Sequence, residues 1–217
     1  MTQPDPFPKG DVEIFDIPWI IAALIAVCVL IELLLQAIGF GLLDGSRTRV
    51  YHFVAFWSGV LRDWPPNYAA QPVTMFVTYG FFHAGFFHLL VNMITLWSVG
   101  PILVDRVGTF RFLVLYFASM VGGAAAFGLL AEKLLPMVGA SGALFGLAGA
   151  FLSWNYVDRF ATGLNLWPIA RVIGLLIAMN VVLFIATGGQ LAWETHLGGF
   201  VTGWVTALLL DPRSQAL

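Results

Sequence analysis

The chain has 217 residues, 59% of them apolar and only 10% charged, with a mean hydropathy of +0.88. A soluble domain of this size cannot hide that much apolar surface, so the class is a polytopic membrane protein. A formal net charge of −2 and no basic tract argue against a nucleic-acid partner, and a single cysteine, Cys28, excludes an internal disulfide.

A helix crossing ~30 Å of hydrocarbon needs roughly 20 residues, and several runs qualify. Residues 1–16, "MTQPDPFPKGDVEIFD", form an acidic, Pro-rich tail. The apolar run after them has no convincing cleavage site and reads as a retained first span over 17–43. Five more spans follow at 81–104, 109–131, 139–157, 168–187 and 195–210, joined by short turn-rich or charged segments such as "DRVG" and "DRFATGLN". Residues 17–210 thus make one all-α membrane domain, and 211–217 a C-terminal tail. The first connection, 44–80, is far longer than the others. Its aromatics and arginines ("RVYHFVAFWSGVL", "RDWPPNYAAQP") suit a segment lying in the membrane interface or a hydrophobic loop packed on the bundle. With the N-terminus inside, Lys and Arg at 9, 106, 111, 159, 171 and 213 face those at 47, 49, 62 and 133, a small positive-inside bias.

Polar residues inside apolar runs are costly and mark interior faces. In "HAGFFHLLVNMITLW", His88, Asn92 and Thr95 share one helical face, with His83 one turn earlier. Such side chains either glue helices together or aim donors at one point. In "GASGALFG", Ser141 sits in a first helical turn beside a stripe of Gly142, Gly146, Gly149 and Ser153. Gly139 frees the backbone to turn in tightly. The spacing is that of a close helix–helix seam, and the Ser141 amide is an unpaired donor at a helix N-terminus. "THLGGFVTGW" heads a second seam, Gly199, Gly203 and Ala207, with His196. Alternating spans run the second, fourth and sixth helices in one direction, so His88, Asn92, Ser141 and His196 lie near one membrane face. A serine and a histidine at matched depth suit a base–nucleophile pair. Glu32 and Gln36 read as mutual or loop hydrogen-bonding partners, Asn180 as packing and Arg171 as an interface anchor.

From about Pro72 onward, "HAGFFHLLVNM", "GTFRFLVLYFASMVGG", "GASGALFG" and "THLGGFVTG" resemble, in order and spacing, the rhomboid family of intramembrane serine proteases. The resemblance implies a six-transmembrane-helix bundle with a long, partly membrane-embedded first loop. It implies a catalytic Ser141–His196 dyad, and an oxyanion site made by His88, Asn92 and the Ser141 amide. His83, Gly139, Gly142, Phe145, Gly199 and Gly203 are implied to be structural support, Phe145 packing on the ring of the base. Where many members carry Trp-Arg in the first loop, Thr74 and Met75 stand here. The implied substrates are single-pass or other transmembrane proteins in the lipid bilayer, with the fifth span and "TGGQLAWE" as gate and cap. The implied reaction uses no metal and no cofactor, and a short multi-pass body suits a bacterial inner membrane. Two other readings compete: a catalytically silent rhomboid-like protein that binds membrane helices, and a haem- or metal-binding bundle using His83, His88 and His196.

Overall fold

The computed structural model describes residues 17–132 and 135–211. The N-terminal tail, all of the C-terminal tail but Asp211, and Lys9, Lys133 and Arg213 lie outside them. Asp211 is buried at the end of the last helix. The described residues form eight α-helices: α1 (Trp19–Gly39), α2 (Arg47–Val54), α3 (Gln71–Thr78), α4 (Phe86–Val107), α5 (Thr109–Leu130), α6 (Ser141–Ala161), α7 (Trp167–Ala186) and α8 (Trp193–Leu210). The fold is an all-helical membrane bundle, as the hydropathy pattern requires. Four helices, α1, α4, α5 and α7, are long and apolar enough to cross a membrane. α6 and α8 are of similar length, and their buried faces carry glycines and polar groups.

Helix ends fall where backbone chemistry dictates. Pro18 precedes α1 and Pro168 occupies its first turn in α7, where a missing N–H costs nothing. The second span was expected from residue 81, yet α4 begins only at Phe86. Phe81 closes a short 3-10 turn and Gly85 takes φ 127°, which no helix allows, so His83 stands off the helix. Likewise α1 ends at Gly39, short of residue 43, because the chain turns at Gly41 with φ 75°.

The core is the triad α5, α6 and α8, with α6 against α8 the most extensive contact. α6 and α8 run parallel in register: Gly142 meets Gly199, Gly146 meets Gly203, and the Trp154 indole donates to the Ala207 carbonyl at 2.9 Å. A Cβ on Gly199 or Gly203 would collide with the facing backbone oxygen. α5 lies antiparallel to α8, Gly122 facing Thr202 and Gly198 facing Ala126. α1 packs on α4, and α7 is peripheral, with Ile169 its one buried residue.

The long connection folds as α2, a 3-10 turn and α3, and packs on the bundle. Phe56 is fully buried among Phe76, Tyr79 and Phe127, and its backbone pairs with Met137 just ahead of α6. Thr78 Oγ1 donates to the Val54 carbonyl at 2.7 Å. At the two positions without Trp-Arg, Met75 is fully buried and Thr74 hydrogen-bonds Tyr68. The charged anchor is Arg47 on α2. It grips Glu32 of α1 through two bonds of 2.7 and 3.0 Å, and Gln36 donates to the same carboxylate at 2.8 Å. Arg47 Nη1 also reaches the His83 carbonyl at 2.9 Å, where the Tyr51 hydroxyl donates at 2.6 Å. One cluster thus ties α1, α2 and the approach to α4.

Candidate active site

Ser141 opens α6. Gly139, at φ 130°, swings the chain into the helix, and its N–H donates to the Tyr79 carbonyl at 3.0 Å. The Tyr79 hydroxyl is anchored in turn on the Met120 carbonyl at 2.8 Å. His196 lies in the first turns of α8, 7% exposed, and the glycine seam draws it onto α6. His196 Nε2 stands 2.9 Å from Ser141 Oγ. Phe145, one turn along α6, stacks on the imidazole with centroids 4.1 Å apart and planes 8° from parallel.

The other ring nitrogen, Nδ1, is 2.6 Å from Asn180 Oδ1 on α7. Read as packing from the sequence, Asn180 is a polar partner of the histidine. Its signal was there, a lone amide in an otherwise apolar span, but nothing in the sequence says which way that face of α7 turns.

His88 and Asn92, one turn apart on α4, converge above Gly139. A Cβ built on Gly139 would lie 2.9 Å from His88 Nε2, 2.7 Å from its Cε1 and 3.8 Å from Asn92 Nδ2. Only glycine leaves that space open. The Ala84 N–H donates to His88 Nδ1 at 3.3 Å, so in the neutral ring the proton sits on Nε2, the atom facing Gly139. Asn92 is 4% exposed and its Nδ2 has no hydrogen-bond partner among the described residues. A buried amide donor left unpaired costs about 1–3 kcal/mol, which an acceptor entering the site would recover.

His83 is fully buried, edge-on to His88 with ring centroids 5.3 Å apart. Burial, then the neighbouring His88, push its pKa down to about 3 against a weaker upward pull from the Phe81 backbone. Its carbonyl is the end point of the Arg47–Tyr51 clamp. Of the three histidines a metal site would use, His196 is thus engaged by Ser141 and Asn180. No group of three His, Cys, Asp or Glu side chains suited to a metal ion occurs among the described residues.

A hydroxyl bonded to an imidazole nitrogen, beside a buried amide donor without an acceptor among the described residues, has the parts for attack on a carbonyl and for holding the resulting oxyanion. Known proteins resemble the chain over more than half of its length. The family model described as "Rhomboid domain" matches residues 70–213. RHOMBOID-like protein 1 of Arabidopsis thaliana is 35% identical over 139 residues, 61% of this chain and 33% of its own length. Rhomboid protease GluP of Bacillus subtilis is 33% identical over 135 residues, 62% of this chain and 25% of its own. RHOMBOID-like protein 6, mitochondrial, of A. thaliana is 31% identical over 157 residues, 70% of this chain and 49% of its own. The chain therefore spans between a quarter and a half of the length of these relatives.

Proposed function

The chain belongs to the rhomboid family, and from that premise we propose that it is an intramembrane serine endopeptidase acting through Ser141 and His196. The observation that carries this is the 2.9 Å contact between Ser141 Oγ and His196 Nε2, set beside two donors converging on Gly139. The protease relative in B. subtilis adds weight.

In the proposed reaction His196 takes the Ser141 proton as Oγ attacks a peptide carbonyl. The oxyanion accepts from His88 Nε2–H, Asn92 Nδ2–H and the Ser141 amide, whose helix N-terminus adds its dipole. Collapse breaks the C–N bond, and His196 returns the proton to the leaving amine. Water, deprotonated by His196, then attacks the acyl carbon; the ester C–Oγ bond breaks, and His196 returns the proton to Ser141 as the new carboxyl terminus leaves. No metal or cofactor enters these steps. His83, Gly139, Gly142, Phe145, Gly199 and Gly203 hold the groups in place.

The substrates we propose are transmembrane helices of other proteins, cut near the membrane surface. On this reading all six long helices cross the bilayer, and Ser141 at the head of α6 lies near one face. The scissile segment must unwind to present its backbone, which favours helix-weakening residues there. α7 and the following turn suit a movable wall, since α7 buries one residue and Gly188 and Gly189 sit at φ 62° and 78°. The relatives include bacterial and mitochondrial proteins, so a bacterial inner membrane is one home and an organellar membrane the other.

The test is cleavage of a detergent-solubilised transmembrane substrate by wild type, Ser141→Ala and His196→Ala, with fluorophosphonate labelling in parallel. Cleavage and labelling by wild type alone is the expected result. An inert, unlabelled wild type favours the competing reading, a silent family member that binds membrane helices; cleavage by Ser141→Ala refutes the assignment of the nucleophile.

A further inference from the structure

We infer that Asn180 is a positioning residue that fixes the tautomer of His196, an inference resting on the serine-protease reading of the same site. The chain of hydrogen bonds runs across three helices. Asn180 Nδ2 donates to the Leu176 carbonyl, one turn back on α7, at 2.9 Å. That bond decides which way the amide points, because a flipped amide would set two acceptor oxygens against each other. Oδ1 therefore faces His196 Nδ1 at 2.6 Å. An amide oxygen only accepts, so Nδ1 must carry the proton. In the neutral ring the lone pair is then on Nε2, 2.9 Å from Ser141 Oγ. The opposite tautomer would point an N–H at the serine and leave it without a base.

Phe145 cannot do this. Its stack at 4.1 Å sets the plane of the imidazole but is indifferent to which nitrogen holds the proton. Nor, among the described residues, does another side-chain acceptor line the cavity beside the ring. Beyond Nδ1 lies a cavity of about 510 Å3 between α7 and α8, whose lining is apolar apart from His196, Asn180 and the Trp193 indole. An indole N–H only donates. Remove the Asn180 oxygen and the Nδ1–H has no side chain in that cavity to bond to. The acceptor also rides on the least buried of the long helices, so any displacement of α7 releases the base from its tautomer.

The experiment uses the full chain in detergent micelles, labelled with ring-15N histidine. The chain has four histidines, so His196→Ala assigns the signal of interest. At neutral pH the wild type should show His196 protonated at Nδ1. Asn180→Ala should shift His196 toward the Nε2–H form while the other three rings keep their signals, which shows that the fold persists. Its kcat on a transmembrane substrate should fall about tenfold to a hundredfold with KM little changed, a part of what a positioned base supplies. Asn180→Gln, which keeps both the amide oxygen that accepts from Nδ1–H and the amide donor, should recover part of the Nδ1–H signal and of the rate. An unchanged His196 spectrum in Asn180→Ala overturns the inference. The spectrum does not depend on turnover. A tautomer change in a protein whose wild type cleaves nothing supports the positioning role and sinks the protease reading alone.

Discussion

Replacing Gly199 by alanine adds one methyl group at the tightest point of the α6–α8 seam. The new carbon would lie 2.8 Å from the Gly142 carbonyl carbon, 3.1 Å from its Cα and closer still to its oxygen, whereas ordinary contact begins at 3.4 Å. All three atoms are backbone, so no side chain can swing away and the helices must part by about 1 Å, a strain of the 1–3 kcal/mol class typical of overpacked cores. His196 is one turn earlier on the same helix. Its 2.9 Å contact with Ser141 then stretches past the range of a hydrogen bond. A 1 Å misplacement of reacting groups costs on the order of 100-fold in rate. The assay is kcat/KM on a transmembrane substrate beside thermal unfolding, with Gly174→Ala on α7 as control. No atom lies within 4 Å of a Cβ at Gly174, so alanine there should be silent or slightly stabilising. Should Gly199→Ala cleave within about twofold of wild type with an unshifted melting point, the argument that the seam sets the Ser141–His196 distance is wrong.

Asn92→Ala should lower kcat by about 100-fold to 1000-fold, the loss of one proposed oxyanion donor, with little loss of thermal stability, because the Nδ2 donor it removes is buried and has no partner among the described residues. A clear drop in melting temperature would show that this amide has a structural partner after all. Arg47→Ala should destabilise clearly, by about 1–3 kcal/mol in denaturant or thermal unfolding, since it leaves the 2%-exposed Glu32 carboxylate with Gln36 as its remaining side-chain donor among the described residues. Glu32→Gln should cost less, and equal melting of Arg47→Ala and wild type would refute the clamp. Burial holds His83 near pKa 3 against an ordinary 6.5, so the unfolded chain binds a proton that the folded chain refuses. Stability from this group is complete above about pH 6.5 and is lost as pH falls from there toward 3. Unfolding measured between pH 7.5 and 5 should therefore be steeper in wild type than in His83→Asn, and parallel slopes would contradict a buried neutral ring.

The parts of this protein readable along one helix were readable from the residues. The glycine spacing of α6 and α8, the shared face of His88 and Asn92, and the turn forced by Gly139 all follow from helical period and backbone freedom. Phe145 stands one turn from Ser141 by the same period, but that its ring packs on His196 was implied by the family resemblance alone. Glu32 and Gln36 were legible as a pair for the same reason, being one turn apart.

What lay beyond reach was whatever depends on how separate helices rotate and tilt against one another. Asn180 sits about 9 Å along the axis from the end of α7, by the helical rise, which brings it to the depth of His196, yet depth says nothing of facing direction. Likewise Arg47 finds Glu32 and the His83 carbonyl because α2 is laid across α1. The two tautomers, His88 with its proton toward Gly139 and His196 with its lone pair toward Ser141, are set by Ala84 and Asn180. The sequence by itself determined which residue types stand at one end of the bundle. Only the tertiary structure decided which atoms of those residues meet, because a hydrogen bond is directional and hydrophobic packing is not.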